Sequence, residues 1–525
     1  MRKAILAAAA LVAVVAIFLL ATLPPEPAHL ALDANDPGLV ARTMAGAYHV
    51  HTTRSDGAAD KREVAAAAAR AGLQFVIITD HGDGTREPDP PEYLHGVLCI
   101  DAVEISTNGG HYVALGLPAA PYPLAGDAAA VVEDVARLGG FGIAAHPHHP
   151  THGLAWDDWS APVDGIEWIN ADVEWRNESP PRLARALFDY LVRPAPALAS
   201  VFDRPEETLE RWASLLRSRA VVALAAADAH GGARASSLDE GGSRFALGPS
   251  YEASFSVVVN KVLLGAPPSG NAVNDASAII ESIRSGRVYT VIRGIADGLM
   301  LVPGATGGLR FPEQVPPGVV VREIGTAPRQ AWEAAHPNAA GHPPVPWAVA
   351  NPTVPPTERV PPLPGTAPLG LPLRLRSPWR VEKDPRSSGQ LSEGPGGFRL
   401  TYALAEGERV SQFVAAAVDV SLPALSGLAF SASAERPMRL SVQLRFPAEG
   451  ERWVKSVYID QYPRDLILRT SDLAPAERAD SQLPDLTRAG SLLFVVDLTN
   501  AKPGARGGFH ISGLRILEQS PAAQR

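Results

Sequence analysis

The sequence predicts an α/β domain followed by a β-rich domain. From about residue 46 to residue 286, short β-rich apolar runs alternate with helical stretches, a pattern typical of a parallel sheet or an α/β barrel. Residues 353–372 are rich in proline, which indicates a semi-rigid linker. From residue 373 onward, short runs of alternating polarity are separated by turn residues, which favours a β-sandwich.

Length, charge and cysteine content limit the number of domains, the partners and the kinds of site that the chain can have. A chain of 525 residues is too long for one compact core, so several domains are expected. Its net charge is −9, and lysine and arginine do not cluster beyond the first three residues, so no nucleic-acid partner is expected. Cys99 is the single cysteine. An internal disulfide and a cysteine-based zinc site are therefore excluded, and any metal site must use His, Asp and Glu.

Residues 1–25 have the pattern of a targeting segment. Arg2 and Lys3 precede an almost wholly apolar run over residues 4–23, which two prolines close. The run is long enough for a membrane-spanning helix and lacks an A-x-A cleavage site directly after it. We therefore expect an uncleaved membrane anchor rather than a cleaved signal peptide. Either alternative places the remainder outside the cytoplasm, for example in the periplasm.

The α/β domain is predicted over residues 44–290. Asp60 with Glu63 three residues later indicates a helix start, and Gly72 its end. A small β module is expected at 291–355, the linker at 356–372 and the sandwich at 373–525. The candidate strands are 47–52, 75–81, 97–106, 111–117, 141–147, 165–171 and 221–230, and further candidate helices are 128–140, 182–192 and 206–218.

Potential metal ligands recur at the predicted strand ends. Nine of the 14 histidines lie between His49 and His152. Strand residues two apart point to the same side, so the pairs His49/His51 and Asp228/His230 should each face one pocket. Imidazole and carboxylate groups suit Zn²⁺, Mn²⁺ or Fe²⁺. The nine candidates exceed the needs of one ion and predict two or three divalent ions, with Glu104 as a bridge: His49, His51, Asp56, His81, Glu104, His111, His146, Asp228 and His230.

The motifs that carry these residues resemble a known set. HVHTTRSDG, ITDH, AVEIS, GGHYVALG, AAHP and DAH, in that order, are similar to the motifs of the PHP (polymerase and histidinol phosphatase) superfamily. GPSYEASF, IIESIRSGRVYT and PWAVANP further resemble its carbaryl-hydrolase-like branch. The resemblance implies a distorted (β/α)7 barrel with a di- or trinuclear hydrolytic site.

The resemblance also implies roles for individual residues. His49 and His51 would bind one metal with Glu104 and Asp228, and Glu104 would bridge to a second metal held by His111 and His146. The third metal would be bound by Asp56, His81 and His230.

The expected function is an exported metal-dependent phosphoesterase that uses a hydroxide shared between the ions. Asp228 or His230 is the candidate proton donor to the leaving group. Arg54, His148 and Asn170 are candidate substrate contacts. A surface arginine, a solvated loop and a turn cap are the respective structural alternatives.

Two other functions are compatible with the sequence. A carboxylic or carbamate ester hydrolase would use the same metal site. Alternatively, the α/β domain is catalytically silent and the protein binds a glycan or a surface through the C-terminal region, which is broadly similar to galactose-binding-like jelly rolls. Trp453, Tyr458 and Tyr462 could form an aromatic platform for sugars, although core packing is the usual role of alternating aromatics in a sandwich.

Overall fold

The structure, a computed structural model, divides into two compact units. The first unit comprises residues 1–82, 88–118 and 135–360, and the second comprises residues 83–87, 119–134 and 361–525. The described residues are 2–29, 37–151, 153–235, 245–298, 301–303, 309–310, 320–326, 329–335, 346–352, 371–373, 375–394, 396–422, 427–446, 451–476 and 483–517. The predicted linker at 356–372 lies outside this set except for its last two residues.

The α-helices of the described chain are short apart from the first. In chain order they are α1 (Arg2–Ala21), α2 (Pro37–Arg42), α3 (Lys61–Arg70), α4 (Ala128–Arg137), α5 (Ala171–Arg176), α6 (Pro180–Tyr190), α7 (Pro194–Ala199), α8 (Glu206–Leu216), α9 (Tyr251–Val257) and α10 (Ala272–Arg284).

The strands of the first unit are β1 (Ala28–His29), β2 (Thr43–Ala47), β3 (Phe75–Ile78), β4 (Glu92–Leu94), β5 (Val97–Asp101), β6 (Val103–Thr107), β7 (Gly110–Leu115), β8 (Phe141–Ala144), β9 (Gly165–Asn170), β10 (Val222–Ala226), β11 (Ala233–Ala235), β12 (Phe245–Leu247), β13 (Val258–Leu263), β14 (Val288–Ile292), β15 (Ala296–Asp297), β16 (Val302–Pro303), β17 (Leu309–Arg310), β18 (Val320–Thr326), β19 (Arg329–Ala335) and β20 (Pro346–Ala350).

Two sheets dominate this unit. One has nine strands in the order β18-β19-β20-β14-β13-β2-β3-β5-β4, and the other has five in the order β10-β9-β8-β7-β6. Two isolated parallel bridges, Val50 with Ala229 and His81 with Glu104, join residues next to the sheets. A buried apolar core that includes Phe75, Ile143 and Leu224 draws side chains from both sheets.

The α/β class is confirmed, but the predicted (β/α)7 barrel is not supported. The strands form two sheets with several antiparallel pairs, such as β2 with β13 and β6 with β7. A regular barrel needs a helix after each parallel strand. Here the predicted strand at 97–106 is interrupted at Ala102, so β5 lies in one sheet and β6 in the other.

The predicted transmembrane anchor is wrong. In the part of the chain that the structure describes, no helix is both long and apolar enough to cross a membrane. Helix α1 covers Arg2–Ala21 and ends before the two prolines that close the apolar run. Arg185 donates hydrogen bonds to the carbonyls of Leu19 and Thr22 at 3.1 and 2.7 Å.

The second unit contains β-sandwich-like sheets, as predicted. Its strands are β21 (Leu371–Pro372), β22 (Arg380–Lys383), β23 (Ser388–Gly394), β24 (Gly397–Ala403), β25 (Phe413–Asp419), β26 (Gly427–Ala434), β27 (Met438–Phe446), β28 (Glu451–Ile459), β29 (Arg464–Arg469), β30 (Ala474–Pro475), β31 (Ser491–Asp497) and β32 (Arg506–Leu517).

These strands form two six-stranded sheets. One has the order β23-β24-β32-β26-β29 with β21 beside β32, and the other has the order β22-β25-β31-β27-β28-β30. One apolar cluster, which includes Phe398, Phe430, Phe494 and Trp453, draws on both sheets. Core packing is thus confirmed for Trp453, while Tyr462 is 73% exposed. The three aromatics do not form a shared platform.

Candidate metal centre

Strand ends of the first unit bring the nine predicted ligands together. His49 and His51 follow β2, His81 follows β3, His146 follows β8, and Asp228 and His230 follow β10, while Glu104 and His111 lie within β6 and β7. Backbone bonds fix the alignment: His51 N donates to Ala229 O at 3.0 Å, and Ala229 N donates to His49 O at 3.2 Å.

Glu104 is the centre of the cluster. Its side chain is 1% exposed, and each carboxylate oxygen faces more than one imidazole. Oε2 lies 3.1 Å from His49 Nε2, 3.2 Å from His51 Nε2 and 3.3 Å from His81 Nδ1, and Oε1 lies 2.8 Å from His111 Nδ1 and 3.0 Å from His146 Nε2. A carboxylate that reaches five imidazoles has the position that a bridging ligand requires.

Asp228 and Asp56 complete the cluster on either side of His51. Asp228 Oδ1 lies 3.4 Å from His51 Nε2 and 3.6 Å from His49 Nε2. Asp56 Oδ1 lies 3.3 Å from His51 Nδ1, and Asp56 Oδ2 lies 3.1 Å from His230 Nε2. Both carboxylates are buried.

Four groups of three side chains could each hold a metal ion, with all ligand atoms in a group within 4.8 Å of one another. The groups share Glu104, His49 and His51, so neighbouring ions would have ligands in common. They are His49/His51/Glu104, His49/His146/Asp228, His51/Asp56/His230 and His81/Glu104/His111.

The hydrogen bonds of His230 and His49 leave one ring nitrogen of each histidine facing a carboxylate. A cation could lie between that nitrogen and the carboxylate. His230 Nδ1 donates to the Asp228 carbonyl at 2.9 Å, so the neutral ring presents its Nε2 lone pair to Asp56. His49 Nδ1 likewise donates to Glu167 at 2.6 Å and turns Nε2 toward Glu104. His146 Nδ1 is buried without a hydrogen-bond partner among the described residues. Lone pairs opposite carboxylates repel unless a proton or a metal ion lies between them.

Without metal, the histidines and carboxylates of the cluster shift one another's pKa values. Burial lowers the pKa of His51, but hydrogen bonds to Asp228 and Glu104 outweigh it and raise this pKa to about 10. Burial raises the pKa of Glu104, but the surrounding histidines hold that pKa well below its usual range. Nearby histidines likewise lower the pKa of Asp228 against the effect of burial. Protons on imidazoles thus occupy the positions that metal ions would take.

Glu167, on β9, is a supporting residue that the sequence did not reveal. Its side chain is fully buried. It accepts from His49 Nδ1, from the backbone N of His146 at 2.7 Å and from Asn170 Nδ2 at 2.9 Å. A carboxylate behind a ligating histidine fixes the ring and raises its basicity. A single acidic residue inside the apolar run GIEWIN was the available signal.

The turn after His51 is held by residues from distant segments. Asp80 accepts hydrogen bonds from Thr52 N and from Ser55 Oγ, both at 2.7 Å. Tyr251, on α9, donates its hydroxyl to His51 O at 2.8 Å and accepts from Ala58 N at 3.1 Å. This network carries Asp56 to the cluster.

The backbone is strained where ligands leave the strands. His49, His146 and Asp228 have φ of 64°, 28° and 44°. Positive φ is costly for residues other than glycine and persists only where the surrounding structure enforces it. The side chains therefore reach the cluster through kinks and not through the strand alternation expected from the sequence.

The candidate substrate contacts are placed differently from one another. Asn170 caps α5, and its Nδ2 donates to Asp228 Oδ2 at 3.0 Å, so it adjoins the cluster. Arg54 pairs with Asp80 at 2.9 Å, Asp101 at 2.7 Å and Asp89 at 3.1 Å. His148 faces two residues outside the cluster, Glu174 Oε1 at 3.2 Å and Thr208 Oγ1 at 3.3 Å.

His81 is the most exposed of the nine candidate ligands. Its side chain is 16% exposed, whereas the other eight candidates are buried. A recess beside Asp228 and His230, lined by Leu198, Val201 and other residues, has a volume of about 10 Å³. That is room for about one water molecule.

Comparison with known proteins leaves the family open. No family model matches this chain, and no curated protein matches it. The resemblance to the PHP superfamily therefore stays a prediction.

Several solved structures show a weak likeness. The family 11 carbohydrate-binding module of the cellulosomal cellulase Lic26A-Cel5E of Clostridium thermocellum is 14% identical with a TM-score of 0.22, and the match covers 29% of this chain and 97% of the module. TmCBM61 in complex with beta-1,4-galactotriose is 16% identical with a TM-score of 0.18, covering 27% and 90%. The agarase AgWH50C is 11% identical with a TM-score of 0.22, covering 29% and 26%. At these TM-scores the likenesses carry no argument about function.

Proposed function

We propose that the protein is a metal-dependent hydrolase, with phosphate esters as the favoured substrates. The observation that carries this proposal is the position of Glu104, which is buried and within 3.3 Å of five imidazole nitrogens. The surrounding nitrogen and oxygen donors suit two or three Zn²⁺, Mn²⁺ or Fe²⁺ ions. Such ions, when bound, lower the pKa of water and neutralise charge that develops on substrate oxygens.

The residues of the chain would supply ligands, orientation and a proton. Glu167 and Asn170 hold His49 and Asp228 in place through the hydrogen bonds described above. Because neighbouring histidines keep the pKa of Asp228 low, this residue is suited to binding a cation. Asp228 and His230 are both candidate ligands, so a proton for a leaving alkoxide would come from whichever of the two binds no ion.

Substrate assays distinguish the two hydrolase alternatives. The purified chain, loaded with Mn²⁺ or Zn²⁺, is tested on an aryl phosphate, a phosphodiester and a naphthyl carbamate. Turnover of a phosphate substrate that is lost in Glu104→Ala supports the phosphoesterase. Turnover of the carbamate alone favours the carboxylic or carbamate ester hydrolase. Absence of turnover with all three, while metal is bound, would contradict both.

A second candidate function is glycan binding by the second unit, with a first unit that binds metal but is catalytically silent. A cleft of about 490 Å³ on one of its sheets favours this candidate. Binding of the full chain to a glycan array, together with inactivity in the assays above, would support it.

A further inference from the structure

The cleft lies on the face of the β22-β25-β31-β27-β28-β30 sheet that points away from the sandwich core. Phe494 and Val496 of β31 belong to the core. Leu493 and Val495, which alternate with them along the strand, form a separate small cluster with Ala415 and Ala417. Leu493 and Val495 also line the cleft. The cleft therefore has an apolar floor made by the outward-facing residues of the sheet.

The rim of the cleft is cationic. Arg409, Arg445 and Arg452 line it, whereas Asp497 is the one carboxylate among the described lining residues. Arg445 pairs with Glu382 at 2.9 Å, and part of its charge is thereby neutralised. The described lining residues therefore carry more cationic than anionic groups. The rim thus favours an anionic ligand, and arginine is the side chain that best recognises carboxylates in a planar, bidentate manner.

The wall adds groups suited to a sugar. Phe413 on β25 is half-buried and lines the cleft, and Gln443 lines it from β27, with β31 between the two strands. An aromatic ring packs against the C–H face of a pyranose, and an amide can donate to and accept from hydroxyl groups. An apolar floor, a ring, an amide and a cationic rim together match a ligand with both sugar rings and negative charge.

We infer that this cleft binds a carboxylate-bearing sugar chain, such as an oligomer of uronic acid. The inference rests on the second candidate function, glycan binding, and specifies its ligand class. It does not depend on the metal centre, because every residue used here belongs to the second unit.

Calorimetry with the full chain tests the inference. The probes are a galacturonic acid hexamer, cellohexaose as its uncharged counterpart, and inorganic phosphate as a free anion, all in EDTA so that the metal centre does not contribute. We expect the acidic hexamer to bind at least about tenfold more tightly than cellohexaose, since hydrogen bonds to charged groups are the stronger class. We also expect this binding to weaken as NaCl is raised, because exposed charges are screened.

Variants locate the site. Arg409→Ala combined with Arg452→Ala changes two exposed side chains and should weaken binding of the acidic hexamer about tenfold or more. Phe413→Ala should weaken binding of the hexamer without removing its preference over cellohexaose. The matched control is Arg399→Ala, an exposed arginine on β24 that pairs with Glu435 and does not line the cleft. This control should bind normally.

Each contrary result has a distinct meaning. Equal affinity for the acidic hexamer and cellohexaose would overturn the acidic ligand class but leave glycan binding in place. Phosphate binding as tight as the hexamer would reduce the cleft to a small-anion site and overturn the inference. Unchanged binding in the arginine double variant would show that the ligand lies elsewhere. Binding of none of the probes would overturn both this inference and the glycan-binding candidate.

Discussion

At the scale of single residues, the centre depends on carboxylates that orient imidazoles. Glu104 faces five rings, and Glu167 holds His49 from behind at 2.6 Å. Both carboxylates lie inside strands, where an acidic side chain is stable only if it is paired. Their burial is stabilised by these partners, five imidazoles for Glu104 and one imidazole, a backbone N–H and the Asn170 amide for Glu167.

Replacement of Glu167 by glutamine tests this orientation. Glu167→Gln keeps the volume of the side chain but weakens the acceptor for His49 Nδ1. We expect affinity for Zn²⁺ or Mn²⁺ to fall by about 10–100-fold, with the number of bound ions unchanged. Competition with a metal indicator measures the affinity. Glu252→Gln, which changes an exposed carboxylate paired with Arg70, is the control, and equal affinity in both variants would contradict the assigned role of Glu167.

The ligand residue types could be predicted from the sequence because most candidates stand beside an apolar run. The geometry between them could not be predicted. His49, His146 and Asp228 have positive φ, a conformation that no local pattern indicates for these residues. Glu167 was missed because its partners come from segments that are distant in the chain.

At the scale of elements, the turn over residues 52–58 connects β2 to α3 and places Asp56. A side chain at Gly57 would lie 2.4 Å from His51 O and 2.6 Å from the Tyr251 hydroxyl, so the close approach of α9 requires glycine. The capping box predicted for α3 is confirmed, since Asp60 accepts from Glu63 N at 2.9 Å. Local signals of this kind were readable from the sequence, whereas the contact with Tyr251 was not.

Removal of the Tyr251 hydroxyl should loosen this turn. Tyr251→Phe leaves the buried His51 carbonyl without that donor, and we expect unfolding to be easier by about 1–3 kcal/mol. Urea titration followed by tryptophan fluorescence measures the shift in midpoint. Tyr190→Phe removes a less buried hydroxyl that pairs with Ser250 at 3.3 Å and should have little effect. If the two variants unfold at the same urea concentration, the turn does not depend on Tyr251.

At the scale of the whole molecule, the cluster links stability to pH and metal. Without metal, the pKa of His51 rises from the ordinary value of 6.5 to about 10 because of its carboxylate partners. The stability from this proton is fully present below pH 6.5 and is lost as the pH rises toward 10. The metal-free protein should therefore melt at progressively lower temperature across this window.

Bound metal should counteract the fall in melting temperature as the pH rises. Metal ions compete with protons for the imidazoles, so their affinity increases with pH. We expect the rise in Tm on adding Zn²⁺ or Mn²⁺ to be larger at pH 8.5 than at pH 6.5. Differential scanning calorimetry with EDTA and with metal measures both effects. A metal-induced rise in Tm that is independent of pH would show that metal binds elsewhere.

At this scale, sequence patterns predicted the class of each domain but not the arrangement of the strands in the first unit. Strand–helix alternation indicated the α/β class, and alternating polarity indicated the sandwich. The two sheets of the first unit depend on the break at Ala102 and on antiparallel pairing of β13 with β2, which are long-range features. The apolar run at the N-terminus predicted a membrane anchor, whereas no helix among the described residues is long and apolar enough to cross a membrane.

Metal content is the most direct test of the central claim that the nine clustered side chains bind divalent ions. The chain is purified with Zn²⁺ or Mn²⁺, freed of loosely bound metal, and measured by inductively coupled plasma mass spectrometry beside Glu104→Ala and the surface control Glu252→Ala. We predict two or three ions per chain in the natural sequence and in the control, and a fall to one or none in Glu104→Ala. Absence of bound metal, or an unchanged count in Glu104→Ala, would contradict the claim.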